Sequence, residues 1–446
     1  MPESEKHTVK PTKGLKYTVC TFGCQMNVAD SNEMSAHLER KGFSPTPELE
    51  EADLVLVNTC TVRQQAENRA LSLLGRLKEW KRLKTGRVVV LTGCAAERIK
   101  DEVSWRIPQV DLTVGAKDID KFGEKLEEFL LERFDYNAET RESFNASTNH
   151  SPSPAISYVT IMRGCNYTCS YCIVPAVRGR EVYRPLETIL EEVQAGVAGG
   201  SKEVLLLGQT VNSYSYENHN FASLLAAVDA VPDLKRIRFM SPHPHYFDAP
   251  TIEAMAGLTH VCEHVHLPVQ SGSNKMLKEM KRNYTRERYL DAATALRKNI
   301  PGVAITTDFI VGFPGETEED FEATLNMVEE GDFSSAYCFK YSPRPGTHAA
   351  TLADNVPTAL KEERLSRLLE KTGAQADRNA KKLVGTLQEI LIEEFDADGA
   401  AMGRTRGSWK VKVKGQAGHK IKAGELVAAV ITSADGRSVE GEARPA

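Results

Sequence analysis

Between residues 155 and 345, six short runs rich in aliphatic and β-branched residues recur with helical patterns between them: ISYVTIMR, EVLLLG, RIRFM, HVHLPV, AITTDFIVG and AYCFKYS. A strand–helix repeat of this length predicts a partial (βα)6 barrel. Such a barrel collects its functional groups at the carboxyl ends of its strands. The rest of the chain is organised around this array.

Upstream, over residues 15–134, the strand patterns KYTVC, DLVLVN, RVVVLTG and VDLTV alternate with helical patterns at 31–41, 62–83, 95–103 and 117–134. That alternation predicts an α/β domain built on a parallel sheet. Residues 135–154, DYNAETRESFNASTNHSPSP, hold few large aliphatic side chains and read as a linker. The barrel domain, residues 155–382, ends in one long helix over 357–382, rich in Lys, Glu, Arg and Leu. Residues 383–446 alternate apolar and polar positions between Gly- and Asp-rich turns, as a small antiparallel β barrel does. A chain of 446 residues is too long for one ordinary core, in keeping with several domains.

No apolar run approaches the roughly 20 residues that span a bilayer, and residues 1–11 lack a secretory apolar stretch. The expectation is a cytoplasmic protein without membrane partners. Nine cysteines in a reducing compartment are more readily metal ligands or buried apolar residues than disulfide partners. A net charge of −5 argues against indiscriminate nucleic-acid binding and leaves room for a local basic surface. Residues 404–414, with Arg404, Arg406, Lys410, Lys412 and Lys414, are the candidate.

Three cysteines follow the first barrel strand at once, in IMRGCNYTCSYCIVPAVRG: Cys165, Cys169 and Cys172. A [4Fe–4S] cluster has four irons, so three thiolates leave one iron open. That iron can chelate the amino and carboxylate groups of S-adenosylmethionine, whose reductive cleavage releases a 5′-deoxyadenosyl radical. Structural zinc needs four ligands in a closed tetrahedron, and the next cysteine is the distant Cys262.

Cys24, Cys60 and Cys94 each follow a predicted strand. Ligands of open parallel sheets bind outside the carboxyl ends of the strands, so these three can converge on a second three-thiolate site or be packed thiols. Cys20, Cys262 and Cys338 read as small buried hydrophobes.

Together these residues resemble the methylthiotransferase family of radical S-adenosylmethionine enzymes, over almost the whole chain. The resemblance implies an amino-terminal domain with an auxiliary [4Fe–4S] cluster on Cys24, Cys60 and Cys94. It implies a radical domain whose cluster sits on Cys165, Cys169 and Cys172, and a carboxyl-terminal TRAM-like RNA-binding barrel. Cys24-Gln25-Met26-Asn27 is similar to the branch that modifies isopentenylated adenosine in tRNA, as are LLGQTVNSY, HLPVQSGS, TDFIVGFPGET and YSPRPGT. The activity implied is methylthiolation of carbon 2 of isopentenyl-adenosine at adenosine 37, in the tRNA anticodon stem-loop. It requires S-adenosylmethionine, two [4Fe–4S] clusters, a sulfur donor, and an electron donor such as flavodoxin or ferredoxin. Related alternatives act on threonylcarbamoyl-adenosine in tRNA or on a ribosomal protein aspartate. A non-enzymatic RNA-binding protein with structural metal is the remote one.

Where radical enzymes often carry Gly-Gly-Glu, this chain has Leu207-Gly208-Gln209, which makes Gln209 a candidate cofactor contact. Gly312 follows the fifth strand as either a close-approach glycine or an ordinary turn. Gln270 and Asp308 lie near strand ends, as cofactor or RNA contacts or as caps of a helix or a turn. His264 and His266 read as hydrogen-bonded barrel residues. Arg404, Arg406 and Lys410 belong either to a solvated strand face or to a surface tracking phosphates.

Overall fold

The computed structural model describes residues 14–62, 64–133, 155–415, 421–435 and 438–444, so the expected linker at 135–154 lies outside the described residues. The chain divides into two compact units. One comprises residues up to 150 together with 176–179, and the other the remainder.

The first unit carries β1 (Lys16–Phe22), α1 (Gln25–Arg40), β2 (Ser44–Pro45), β3 (Leu54–Thr59), α2 (Gln64–Leu83), β4 (Val88–Gly93), α3 (Cys94–Ile99), α4 (Val103–Arg106), β5 (Leu112–Gly115) and α5 (Phe122–Arg133). The strands form one parallel sheet in the order β2-β1-β3-β4-β5. Every residue of β3 and β4 is buried, because helices cover both faces of the sheet. Val55, Val57, Val89 and Leu91 pack with Leu73, Leu77 and Trp80 on one face. Leu54, Leu56, Val88 and Val90 pack with Met34, Leu38 and Phe122 on the other.

Helix α1 starts at Gln25, six residues before the sequence pattern predicts. Asn27, Asp30 and Ser31 are polar yet buried, so the first turns lack the apolar stripe by which a helix is recognised.

The second unit begins with β6 (Ile156–Thr160), β7 (Met162–Arg163), α6 (Val174–Arg178, whose last residues belong to the first unit), β8 (Val182–Tyr183), α7 (Leu186–Ala198) and β9 (Glu203–Leu207). It continues with β10 (Ser215–Tyr216), β11 (His219–Asn220), α8 (Phe221–Asp229), β12 (Arg236–Phe239), α9 (Ala249–Gly257), β13 (His264–His266), α10 (Asn274–Glu279), α11 (Arg286–Asn299), β14 (Ala304–Val311), α12 (Glu318–Gly331), β15 (Ser335–Lys340) and α13 (Thr358–Lys381). The six expected barrel strands are β6, β9, β12, β13, β14 and β15. They form two parallel ladders, β12-β9-β6 and β13-β14-β15, linked by the bridge Ile237–Val261. The predicted strand HVHLPV shortens to His264–His266, because Pro268 has no N–H to donate and Gln270 takes a left-handed φ of 73°.

Five strands complete the unit: β16 (Leu387–Phe395), β17 (Ala401–Thr405), β18 (Lys410–Lys414), β19 (Leu426–Ala434) and β20 (Val439–Ala443). They close into a barrel in the order β16-β17-β18-β20-β19. The expectation of a purely antiparallel domain is corrected at β18–β20, which pair parallel. Among the described residues no helix is long and apolar enough to cross a membrane.

Arginines join the two barrels. Arg236, wholly buried, donates from Nε and Nη2 to Glu389 Oε1 at 3.0 and 2.9 Å and from Nη1 to the Arg404 carbonyl at 2.9 Å. Arg238 donates to Glu203 at 3.0 Å and to the carbonyls of Thr405 and Arg406. Both members of the Arg238–Glu203 pair are buried, so removing Arg238 leaves Glu203 only the longer 3.9 Å contact to Arg236. Arg238→Ala is expected to cost about 3–5 kcal/mol, whereas Arg238→Met with Glu203→Gln costs much less. Urea midpoints of the two variants measure the difference.

Candidate metal centres

In the first unit, β1, β3 and β4 are neighbours in parallel register, Phe22 opposite Thr59 and Thr59 opposite Gly93. Cys24, Cys60 and Cys94 therefore leave the same edge of the sheet, each within two residues of its strand. Cys60 and Cys94 are buried and Cys24 is half-buried. Gly93 turns the chain into α3 with φ 95°, and a Cβ there would lie 2.3 Å from the Thr59 carbonyl. Asn27 Oδ1 accepts from the Cys24 backbone N–H at 3.2 Å and from the Cys24 thiol at 3.4 Å. Asn27 is itself locked to Asn58, Nδ2 donating to Asn58 Oδ1 at 3.0 Å.

The thiols act on one another. A hydrogen bond with Cys60 lowers Cys24 to about 6; burial opposes the shift and the Arg178 guanidinium assists it. Burial pushes the Cys94 thiol up, against the pull of Arg178. Arg178, reached six residues after Cys172 in sequence, donates from Nη2 to Asp30 Oδ2 at 2.8 Å.

In the second unit, Gly164, with φ 78°, carries the chain out of β7 into the loop of Cys165, Cys169 and Cys172. Its N–H donates to Gln209 Oε1 at 2.6 Å. Cys165 Sγ lies 3.6 Å from Thr210 Oγ1, and Arg282 Nη1 donates to Cys169 Sγ at 3.3 Å. Burial raises Cys165 and pushes Cys172 up to about 12. Tyr167, inside the motif, stacks on His243 with ring centroids 4.1 Å apart. Burial, then Arg282, lowers His243 to about 2, so this ring is neutral.

Burial disfavours the charged forms of Cys94, Cys165 and Cys172, a cost that a bound cation offsets. Among the described residues no three His, Cys, Asp or Glu side chains are grouped to hold a single metal ion. Zinc would gather its sulfurs at about 2.3 Å from one centre, whereas in a cubane each thiolate takes its own iron. Three thiolates, each for its own iron, are the donor set that each cysteine triplet offers.

The remaining candidates have defined places. Gln209 spends its carbonyl on the loop at Gly164. Gln270 bridges Phe309 by backbone, its N–H donating to the Asp308 carbonyl at 2.8 Å. Asp308 Oδ2 is 3.5 Å from His266 Nε2. Gly312, with φ 68°, gives its N–H to Glu316 Oε2 at 2.6 Å, as a turn residue does. His264 and His266 both meet the Thr306 hydroxyl, at 3.2 and 3.0 Å.

The basic run is extensively paired. Arg404 reaches Glu393 at 3.0 Å and Lys410 reaches Glu394 at 3.0 Å. Arg406 is bound to Glu263 at 2.8 Å and to the carbonyls of Thr259 and Val261, and so joins the two barrels.

Sequence reasoning passed over Thr210, His243, Arg282 and Arg178, which lie far from their partners in the chain. It also passed over a cavity of about 740 Å³ lined in part by Thr168, Lys278, Lys281, Arg282 and Asn283. The signal was present in KEMKRNYT, where three cations crowd within five residues.

Comparisons with known proteins bear on the family and the fold. Residues 159–328 match the Radical SAM superfamily, and residues 16–115 match the uncharacterized protein family UPF0004. A tRNA-2-methylthio-N(6)-dimethylallyladenosine synthase of Endomicrobium trichonymphae is 44% identical, covering 90% of this chain and 94% of its own. The protein of that name in Thermodesulfovibrio yellowstonii is 38% identical, covering 96% of this chain and 99% of its own. Among solved structures, the radical S-adenosylmethionine methyltransferase TsrM of Kitasatospora setae shares the fold, with TM-score 0.57, 15% identity and 75% of each chain covered.

Replacing Gly93 with Ala forces a Cβ into the Thr59 carbonyl and a side chain into left-handed backbone. If Cys24, Cys60 and Cys94 hold one of two similar clusters, as the resemblance implies, Gly93→Ala protein reconstituted with iron and sulfide is expected to hold about half the parental iron. Colorimetric iron and sulfide assays check this.

Proposed function

The chain belongs to the family of tRNA-2-methylthio-N(6)-dimethylallyladenosine synthases, and from that premise we propose that it places a methylthio group on carbon 2 of isopentenyl-adenosine beside the anticodon. It is a tRNA methylthiotransferase of the radical S-adenosylmethionine class. The observation that carries the two-cluster form of this reading is the exit of Cys24, Cys60 and Cys94 from adjacent ends of one parallel sheet, apart in sequence from the second triplet.

In this reading Cys165, Cys169 and Cys172 hold the radical cluster, and Cys24, Cys60 and Cys94 hold the auxiliary one. Bound together, S-adenosylmethionine and a reduced cluster supply a 5′-deoxyadenosyl radical, able to take hydrogen from an adenine carbon that resists polar substitution. The protein's part is to orient and exclude. Thr210 and Arg282 fix the sulfurs of Cys165 and Cys169, and Gln209 fixes the start of their loop. Tyr167 is clamped by the neutral His243 ring. Asp308 and Gln270 are cofactor contacts at the strand ends, and Gly312 is the turn that lets backbone approach.

For tRNA, the cavity beside the cysteine loop supplies two ammonium groups, Lys278 and Lys281. Among the described residues neither has an ion-pair partner, unlike the cations of residues 404–414. They are the first phosphate contacts of this reading. Arg404 and Lys410, half exposed, add to them after exchanging carboxylates for phosphates, while Arg406 stays with Glu263. A loop base can be unstacked there without opening a duplex. Sulfur and electrons come from separate donors, the latter of the flavodoxin or ferredoxin kind.

The reading is tested by mass spectrometry of nucleosides from isopentenylated tRNA incubated with reconstituted enzyme, S-adenosylmethionine, sulfide and reductant. The expected product is 2-methylthio-isopentenyl-adenosine. Changing Cys24, Cys60 and Cys94 together to Ala is expected to abolish that product and leave 5′-deoxyadenosine release. If the variant still makes the methylthiolated nucleoside, the two-cluster reading fails.

Replacing Lys278 and Lys281 with Glu is expected to weaken tRNA binding and flatten its salt dependence, by about one unit of log–log slope for each phosphate no longer neutralised. Filter binding across a salt series measures it.

A further inference from the structure

The side chain of Arg178 is only 4% exposed, and Asp30 beside it is 0%. A buried guanidinium carries a heavy desolvation cost unless its donors are used. Asp30 takes Nη2 at 2.8 Å, but Nη1 is buried with no hydrogen-bond partner. The pair is therefore incomplete as a purely structural ion pair. Its surroundings say what is missing. The charge of the guanidinium reaches both sulfurs: it adds to the Cys60 hydrogen bond that lowers Cys24 against burial, and it pulls on a Cys94 thiol that burial raises. Asp30 lies on α1, which Cys24 caps, so one helix sets both the carboxylate and a sulfur. Arg178 itself is grouped with the first unit, although its sequence follows the radical motif.

Resting on the assignment of a cluster to the amino-terminal cysteines, we propose that Arg178 is a positioning residue of that site. Asp30 holds its guanidinium so that the free N–H and the positive charge stabilise the anionic sulfurs of the bound cluster. Three thiolates around a [4Fe–4S]2+ core leave a net charge of about −1, and one-electron reduction adds another. A cation in a low-dielectric setting favours the more negative, reduced state, and the Asp30 carboxylate opposes it. The pair thereby sets the cluster's reduction potential, each member in its own direction.

The test uses the full chain with Cys165, Cys169 and Cys172 changed to Ala, so that only the amino-terminal cluster is present. Reconstituted protein is titrated with dithionite, and the reduced cluster is followed by electron paramagnetic resonance. In this background Arg178→Gln is expected to lower the midpoint potential and Asp30→Asn to raise it. Each shift should be about tenfold in the one-electron equilibrium, or roughly 59 mV. Arg178→Lys, which keeps the charge, should stay near the parent. If Arg178→Gln loses the cluster while Arg178→Lys keeps it, the charge is again supported. Equal potentials in all variants, shifts of the same sign for Arg178→Gln and Asp30→Asn, or cluster loss in Arg178→Lys as well as Arg178→Gln would overturn the proposal. If the background protein with Arg178 intact binds no iron or sulfide, the amino-terminal cluster assignment fails, and the role of Arg178 falls with it.

Discussion

The parallel β ladder is the constraint on which the rest depends. In a parallel sheet every strand ends on the same side, so residues just beyond the strands become neighbours however far apart they lie in sequence. In the first unit this brings Cys24, Cys60 and Cys94 to one edge. In the second it brings the loop after β7, Gln209 and Thr210 after β9, and the His243 turn after β12 to one end. Hydrogen bonds between these loops then hold positions that no local propensity favours, as Asn212 and His243 do by exchanging bonds of 3.0 and 2.7 Å.

Backbone geometry sharpens the constraint. Gly93 and Gly208 stand where a Cβ would strike a neighbour, the Thr59 carbonyl at 2.3 Å and the Met162 side chain at 2.7 Å. Met162 Sδ in turn accepts from the N–H groups of Gln209 and Thr210 at 3.2 and 3.4 Å. Tight approach at strand ends fixes the backbone from which the three-cysteine loop departs.

Charge placement divides the arginines by role. Arg236, Arg238 and Arg406 carry hydrogen bonds to backbone carbonyls as well as carboxylates, and so join the two barrels of the second unit. Arg282 donates to the sulfur of Cys169, and Arg178 holds the Asp30 carboxylate while its charge pulls on the Cys24 and Cys94 thiols. A guanidinium has five donors in a fixed fork, so it can satisfy a carboxylate with one edge and present the other to a soft anion.

The strand–helix repeat, the Cys165-x3-Cys169-x2-Cys172 spacing and the three cysteines placed after strands were all legible in the sequence, because each is a local pattern next to a local element. The family and its methylthiotransferase activity were legible only through the resemblance of motifs such as Cys24-Gln25-Met26-Asn27 to a known family. The start of α1 was hidden, since its buried face carries Asn27, Asp30 and Ser31 rather than an apolar stripe. The parallel pairing of β18 with β20 was hidden as well, because alternation along a strand does not say which way its neighbour runs. Only tertiary structure could decide what Arg406 does. In the sequence it is one cation in a basic run, and in the fold Glu263 and two carbonyls claim it. The same holds for Arg178, whose partners Asp30, Cys24 and Cys94 are more than 80 residues away in sequence, a separation that only chain folding can close.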